Sequence, residues 1–549
     1  MASTLTEALL FLSLSLFLWT FFRRIASRRP FANIDGPPSR SLFGGIFSEF
    51  FTGDGLRTHE NLLKKYGSVV KVQGLFGKTM LYVSDPKAIY NIIIKDQYIY
   101  EETADFFMIN QLVFGPGLLS TQGDHHKKQR KLLNPVFSIV HMREMIPTFY
   151  EIAHKLEAAL ASRAKDGAHE IDVLSWLTRT ALELVAQCGL GCSFDTLTKD
   201  NEKHPYAVAT QQLIPASIKT FVPRSYILPW ASKIGTPRFR RTIFDLLLKF
   251  IPWEGAHQFR ELTDVLDRET LDVYASKKRA LAEGDEAVQR QIARGKDIIS
   301  ILMRANINAS GGDQLPEHEV IGQMTTLVFA ATETTSNALS RILWLLCIHR
   351  DIQERLRNEL RQAMEGKDEL NYNNLEALPF LEAVCREALR LYPPVASLHR
   401  VAVKDIVLPL SQPIKGIDGK VILEIPVPKG SEILVSIINC NRNPDLWGPD
   451  AHEYKPERWL KPLPDSVLVA QIPGVYGNQM TFSGGGRSCI GFKFSLLEMK
   501  VVLSLLVRKF EFDLPKSKEI GWKIGGVASP FTTEQPSVPQ LPLSVKVAK

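Results

Sequence analysis

Cysteine is scarce in this chain: six in 549 residues, at no regular spacing. That is too few and too scattered for the disulfide framework of a secreted protein, and it suits reduced intracellular thiols. A charge excess is also lacking, because 66 basic residues face 59 acidic ones for a net +7. So mild a balance gives no footprint for nucleic acid, while it suits an acidic protein partner or membrane headgroups. No long Pro/Ser/Gly-rich linker divides the chain after its first forty residues, which points to one large domain. What is plentiful is apolar residue, 45% of the total beside 23% charged, enough to enclose a large cofactor. Cys188 and Cys192 lie four apart on an expected helix, but no His or Cys pair nearby completes a metal site, so they read as core residues.

Cys489 is different. It lies in the run Phe482-Ser483-Gly484-Gly485-Gly486-Arg487-Ser488-Cys489-Ile490-Gly491 and precedes an apolar helical pattern from Phe492 to Phe510. A thiolate binds metal, and burial tolerates it only where something opposes its charge. Glycines let backbone N–H groups approach sulfur, and a helix N-terminus favours an anion. The alternative is a Gly-rich turn holding a small buried hydrophobe. A phosphate cradle is disfavoured, because no Lys-Ser/Thr follows the glycines.

Phe-x-x-Gly-x-Arg-x-Cys-x-Gly resembles the haem-ligand loop of the cytochrome P450 family. The resemblance implies that Cys489 is the axial ligand of haem b iron, with Phe482 and Arg487 beside the cofactor, and thiolate ligation favours O–O cleavage. Three more motifs follow the family's order. Ala330-Ala331-Thr332-Glu333-Thr334-Thr335 resembles its oxygen-activation segment, with Glu333 and Thr334 as proton-delivering pair and Ala331 where Gly is usual. Glu387-Ala388-Leu389-Arg390 resembles its Glu-x-x-Arg, and Pro456-Glu457-Arg458-Trp459 supplies Arg458 to a structural triad. His126 stands where the family has Trp, and Arg130 keeps its place four residues on. Arg130, Arg400 and Arg487 are then expected on the haem propionates, with His126 adjoining them.

From Ala8 to Phe22 the chain is uncharged and rich in Leu and Phe, followed by Arg23, Arg24, Arg28 and Arg29. This reads as a short membrane anchor with a cytosolic C-terminal flank; a secretory signal would carry its charge first. Residues 1–22 are assigned to the anchor, 23–40 to a basic, Pro-rich hinge and 41–549 to the haem-thiolate monooxygenase domain. Val69 to Val83 reads as a hairpin, Phe106 to Ser120 as an apolar loop, and Pro205 to Trp230 as a Pro-punctuated loop that either packs on the core or dips into the bilayer as a substrate lid. Glu317 to about His349 holds no Pro and one Gly, allowing a helix of roughly 50 Å. Its Glu333 and Arg341 would be costly in lipid, so a buried central helix is expected rather than a second span. Val395 to His399 reads as a strand ending at Arg400. Phe107, Phe329, Val395, Ala396 and Phe531 are substrate-contact candidates by region.

The expected fold is mainly α with small β-sheets (α+β), a cytochrome P450 fold with one large haem domain and an N-terminal transmembrane helix. The resemblance covers about residues 35 to 540 and is greatest to fungal members in Gly123–Ser138. It implies a microsomal monooxygenase of the endoplasmic reticulum, its catalytic domain cytosolic. NADPH-cytochrome P450 reductase would supply electrons from NADPH, with cytochrome b5 as a second partner. The substrate is expected to be lipophilic, a terpenoid ahead of a sterol or fatty acid. A redox-independent haem-thiolate isomerase or dehydratase would use the same loop but leave Glu333 and Thr334 idle. A membrane-anchored interaction protein would bind no haem.

Overall fold

The computed structural model describes residue 15 and residues 30–39, 41, 43–198, 204–250, 252–284, 286–287, 292, 295–308 and 314–549. The expected anchor over 1–22 and the basic start of the hinge lie outside the described residues, Ser15 apart. Among the described residues no helix is long and apolar enough to cross a membrane.

The principal helices are α1 (Ala104–Phe114), α2 (Gly123–Leu133), α3 (Ile139–Arg163), α4 (Val173–Val185), α5 (Pro205–Ala231), α6 (Pro237–Phe250), α7 (Glu254–Glu283), α8 (Ile298–Asn308), α9 (Glu317–Ile348), α10 (Arg350–Ala363), α11 (Pro379–Leu391) and α12 (Phe492–Lys509). The strands are β1 (Val69–Gln73), β2 (Thr79–Val83), β3 (Tyr100–Glu101), β4 (His169–Asp172), β5 (Ser397–Ala402), β6 (Ile406–Lys415), β7 (Val421–Val427), β8 (Glu432–Ser436), β9 (Phe510–Asp513), β10 (Ile520–Lys523), β11 (Ser529–Thr532), β12 (Gln535–Pro539) and β13 (Pro542–Val547). They form one five-stranded sheet in the order β1-β2-β8-β5-β3 and three smaller ones. The expected hairpin is present, with Val69 opposite Val83.

The expected central helix is α9. Pro316 precedes it, and Glu317 and Glu319 in its first turn suit the positive end of the helix dipole. Its one glycine, Gly322, sits where a Cβ would come within 2.9 Å of the Gly117 nitrogen, so the loop before α2 crosses the helix at backbone distance. Further along, Leu339 and Leu343 are buried with Leu177 of α4, Leu389 of α11 and Leu497 of α12 in the main core. Arg341, buried among them, lies 3.4 Å from the Trp522 ring centroid and 4.2 Å from that of Tyr392. Desolvation lowers its pKa to about 9, and the ring faces partly offset the lost hydration.

Three expected elements differ. Phe106 to Ser120 is not a loop: helix α1 occupies its first half, with the Thr103 hydroxyl accepting from Phe106 N at 3.3 Å, and ends at Gly115 with φ 76°. Apolar residues on every side hid its period. Pro205 to Trp230 is likewise helical. Pro205 begins α5 where a missing N–H costs nothing, and His204 caps it. The later prolines each cost about 3 kcal/mol in a helix interior. Burial of Tyr206, Ala209, Leu213 and Ala216 with Phe259, Leu262 and Leu266 of α7 opposes that cost. Last, the strand expected from Val395 starts at Ser397 and runs to Ala402, so Arg400 lies inside β5 rather than at its end.

The Glu-x-x-Arg triad forms. Glu387 and Arg390 have fully buried side chains 2.8 Å apart, and Arg458 Nε lies 3.3 Å from Glu387. Trp459, to which the sequence assigned no role, donates its indole N–H to Glu387 Oε2 at 2.9 Å. Arg390 also donates to the carbonyls of Asn441 and Ala451. Truncating one partner of a buried ion pair strands the other charge. Glu387→Ala should therefore cost about 3–5 kcal/mol in denaturant unfolding; an unchanged midpoint would contradict this account of the triad.

Candidate active site

Cys489 sits three residues before α12 on a loop that glycine makes possible. A Cβ at Gly484 would lie 1.9 Å from the Pro473 carbonyl oxygen, and Gly485 takes φ 64° with the Ile93 oxygen 2.3 Å from where its Cβ would stand. The loop is closed by Cys489 N donating to the Phe482 carbonyl at 2.9 Å. Of the six cysteines only Cys489 is exposed, whereas Cys188 is buried and Cys192 nearly so. Burial nevertheless raises the Cys489 thiol pKa, which the Gly491 N–H and the Arg130 cation pull back down.

In the middle of α9, Ala330, Ala331 and Thr334 keep partial exposure between buried neighbours. The Thr335 and Ser495 hydroxyls, 3.0 Å apart, tie α9 to α12. Thr334 donates its hydroxyl to the Ala330 carbonyl at 2.7 Å, one turn back, as expected for a mid-helix threonine. Glu333 is buried with Oε1 unpartnered, and desolvation lifts its pKa to about 8. At neutral pH it is a protonated acid.

The cations converge. Arg130 donates to the Ser488 carbonyl at 2.7 Å and to its hydroxyl at 3.1 Å. Arg400 and Arg487 share the buried Glu102 carboxylate at 3.2 and 3.3 Å, and Arg487 lies 3.9 Å from Glu101. Sequence reasoning missed both acids, since nothing in Tyr100-Glu101-Glu102 marks which way they face. His126 is buried beside Arg130 and Arg487, and desolvation followed by those two cations holds its pKa near 3. It is therefore neutral, an N–H donor rather than half of a cationic fork. Three guanidinia against two carboxylates leave the cluster positive, and it borders a cleft of about 310 Å³ at Tyr98, His126, Arg130 and Gly486.

Each substrate-contact candidate has its own neighbours. Phe107 lies under the Arg487 guanidinium at 5.5 Å, and Phe329 packs on Phe114 at 4.7 Å. Ala396 is buried with Ile438, Ile524 and Ala528 next to half-buried Val395, and the Phe531 ring lies against Gly521 and Gly53.

An accessible cysteine stands on a glycine-built loop before α12, the Thr335–Ser495 bond joins that helix to the Glu333–Thr334 turn of α9, and a guanidinium cluster lies beside the loop. The residues fit haem: one soft sulfur ligand and cations for its carboxylates. The chain belongs to the cytochrome P450 family, whose family model, described as cytochrome P450, matches residues 35–530. It is 50% identical over 535 residues to cytochrome P450 monooxygenase 91 of Postia placenta, covering 97% of each chain. It is 47% identical to cytochrome P450 monooxygenase 81 of the same fungus over 96% of this chain and 95% of that one. A ganoderic acid synthetase of Ganoderma lucidum is 40% identical over 96% of each. The protein is a cytochrome P450 monooxygenase, and the family implies haem iron.

Because Glu333 is protonated when folded and ionised when unfolded, its contribution to stability is full below pH 4.5 and is lost as pH rises toward 8. Glu333→Gln should then raise the unfolding midpoint more at pH 8 than at pH 5. Equal gains at both would show that Glu333 is already ionised.

Proposed function

We propose that this chain inserts one oxygen atom from O2 into a C–H bond of a lipophilic substrate, using electrons from NADPH passed through a flavoprotein reductase. The observation that carries this is the Thr335–Ser495 hydrogen bond, which joins the Glu333–Thr334 turn of α9 to the helix that the Cys489 loop precedes. Bound haem supplies the activation of dioxygen. The protein's share is to bind, orient and manage charge.

Cys489 would supply the sulfur ligand to the iron, its negative charge offset by the Gly491 N–H and by Arg130. Arg130, Arg400 and Arg487 would hold the haem carboxylates, since guanidinia pair with carboxylates through two parallel bonds. His126 adds a neutral donor. Glu333, protonated at neutral pH, gives up its proton, and Thr334, anchored on the Ala330 carbonyl, relays it. Ala331, in place of glycine, narrows the notch at that turn.

The relative named as a ganoderic acid synthetase supports a terpenoid substrate. The end of α5 and helix α6 support membrane contact: Trp230 is 75% exposed and Phe250 78%, with Ile227, Ile234 and Phe239 also exposed. So much apolar surface needs a cover. An anchor over 1–22 and this face together would hold the enzyme on the cytosolic side of the endoplasmic reticulum membrane. Lys127 and Lys131 on the outer face of α2 suit an acidic reductase surface, or cytochrome b5.

Reduced protein under carbon monoxide should show a strongly red-shifted Soret band that Cys489→Ser abolishes; a band typical of histidine ligation, or none, would overturn the reading. Thr334→Ala should divert reducing equivalents to hydrogen peroxide, and unchanged product per NADPH would remove Thr334 from the relay. Trp230→Glu together with Phe250→Glu should weaken sedimentation with phospholipid vesicles, and undiminished binding would place membrane contact elsewhere.

A further inference from the structure

The loop before Cys489 hangs on an ionic group, gathered around buried Lys500, that none of the family motifs includes. Lys500, on α12 and 1% exposed, lies 2.8 Å from Glu376 and 2.8 Å from Glu382 Oε2. The other oxygen of Glu382 accepts from the Tyr476 hydroxyl at 2.8 Å and from Arg386 Nε at 2.5 Å. The Arg386 guanidinium also lies 4.7 Å from the Tyr476 ring centroid. Tyr476 is 5% exposed, so its ring is held by a charge-assisted bond, a cation on its face and the core.

That ring meets Phe482 edge to face, centroids 5.6 Å apart at 74°. Phe482 in turn lies 6.1 Å from Phe492, three residues beyond the cysteine. The Phe482 carbonyl receives the Cys489 N–H, and Val475 N donates to the Ser483 carbonyl at 3.0 Å. Lys500 thus sits on the helix after the cysteine and Tyr476 on the strand-like segment before it, and Glu382 of α11 joins the two. The apolar shell around a ligating sulfur governs how much water reaches it, and with that the potential of the metal.

We infer that Tyr476 is a positioning residue: its hydroxyl, tied to the Glu382–Lys500 pair, fixes the Phe482 ring beside the Cys489 loop and so keeps water from the sulfur and sets the reduction potential of the bound haem. The inference rests on the haem-thiolate reading. Reduction adds one negative charge to the site. Water admitted to the sulfur stabilises the more charged, reduced state, so loosening Phe482 raises the potential.

The test is spectroelectrochemical titration of the haem-loaded full chain. Tyr476→Phe should raise the reduced-to-oxidised ratio at a fixed potential by roughly threefold, or about 28 mV at 59 mV per decade for one electron. Tyr476→Trp, whose indole N–H can again donate to Glu382, should restore most of the shift. Tyr150→Phe is the control, since that hydroxyl accepts from Leu370 N at 3.1 Å rather than binding Glu382; it should lower stability without moving the potential. If Tyr476→Phe fails to hold haem, Arg386→Met, which removes the cation on the ring, should shift the potential in the same direction. Equal potentials in wild type and Tyr476→Phe, or an equal shift in Tyr150→Phe, would overturn the inference. Loss of the red-shifted carbon monoxide band in wild type would instead overturn the haem-thiolate reading beneath it.

Discussion

The Glu387 carboxylate takes hydrogen bonds from Arg390, Arg458, the Trp459 indole and Lys455 N, in a place with no exposure to solvent. A carboxylate so placed is tolerable only because its donors replace water. Much of the metal-ligand side follows from it. Arg390 reaches on to the Asn441 carbonyl, the Asn441 side chain accepts from Met480 N at 2.7 Å and donates to the Thr481 hydroxyl at 2.9 Å, and Phe482 and the cysteine loop come next. The ligand loop is therefore hung from a hub of charge rather than packed by shape alone.

On α9 the electrostatics are reversed. Glu333 is buried with an unpartnered oxygen, so desolvation acts on it unopposed. One acid is saturated with donors and holds structure; the other is starved of them and holds a proton. The two are distinguished by their surroundings, since the residue type is the same.

The long helix was legible because an uninterrupted apolar run without proline leaves few alternatives, and the hairpin because Gly74 and Gly77 punctuate alternating residues. Motif spacing located Cys489, Glu333, Thr334 and the Glu387 triad. Helices α1 and α5 were not legible: the first is apolar on all sides, and in the second the prolines signal a break that burial against α7 overrides. Glu101, Glu102, Trp459 and Tyr476 matter through what they face across distances of many residues, and spacing carries no such information. The charge state of His126 was not legible either, because it depends on burial and on the two guanidinia that the fold brings beside it.

The chain's entry into the domain is itself fastened. Asp35 accepts from Lys71 N of β1 at 2.9 Å, and Asn33 holds the tip of the β6–β7 hairpin through Ile417 N at 2.9 Å and Asp418 N at 3.0 Å. Two attachments on different sheets remove the freedom of a swivel. The segment from Asn33 to Asp35 therefore turns with the domain as a rudder post does with its rudder, and the apolar face of α5 and α6 keeps a set bearing relative to it.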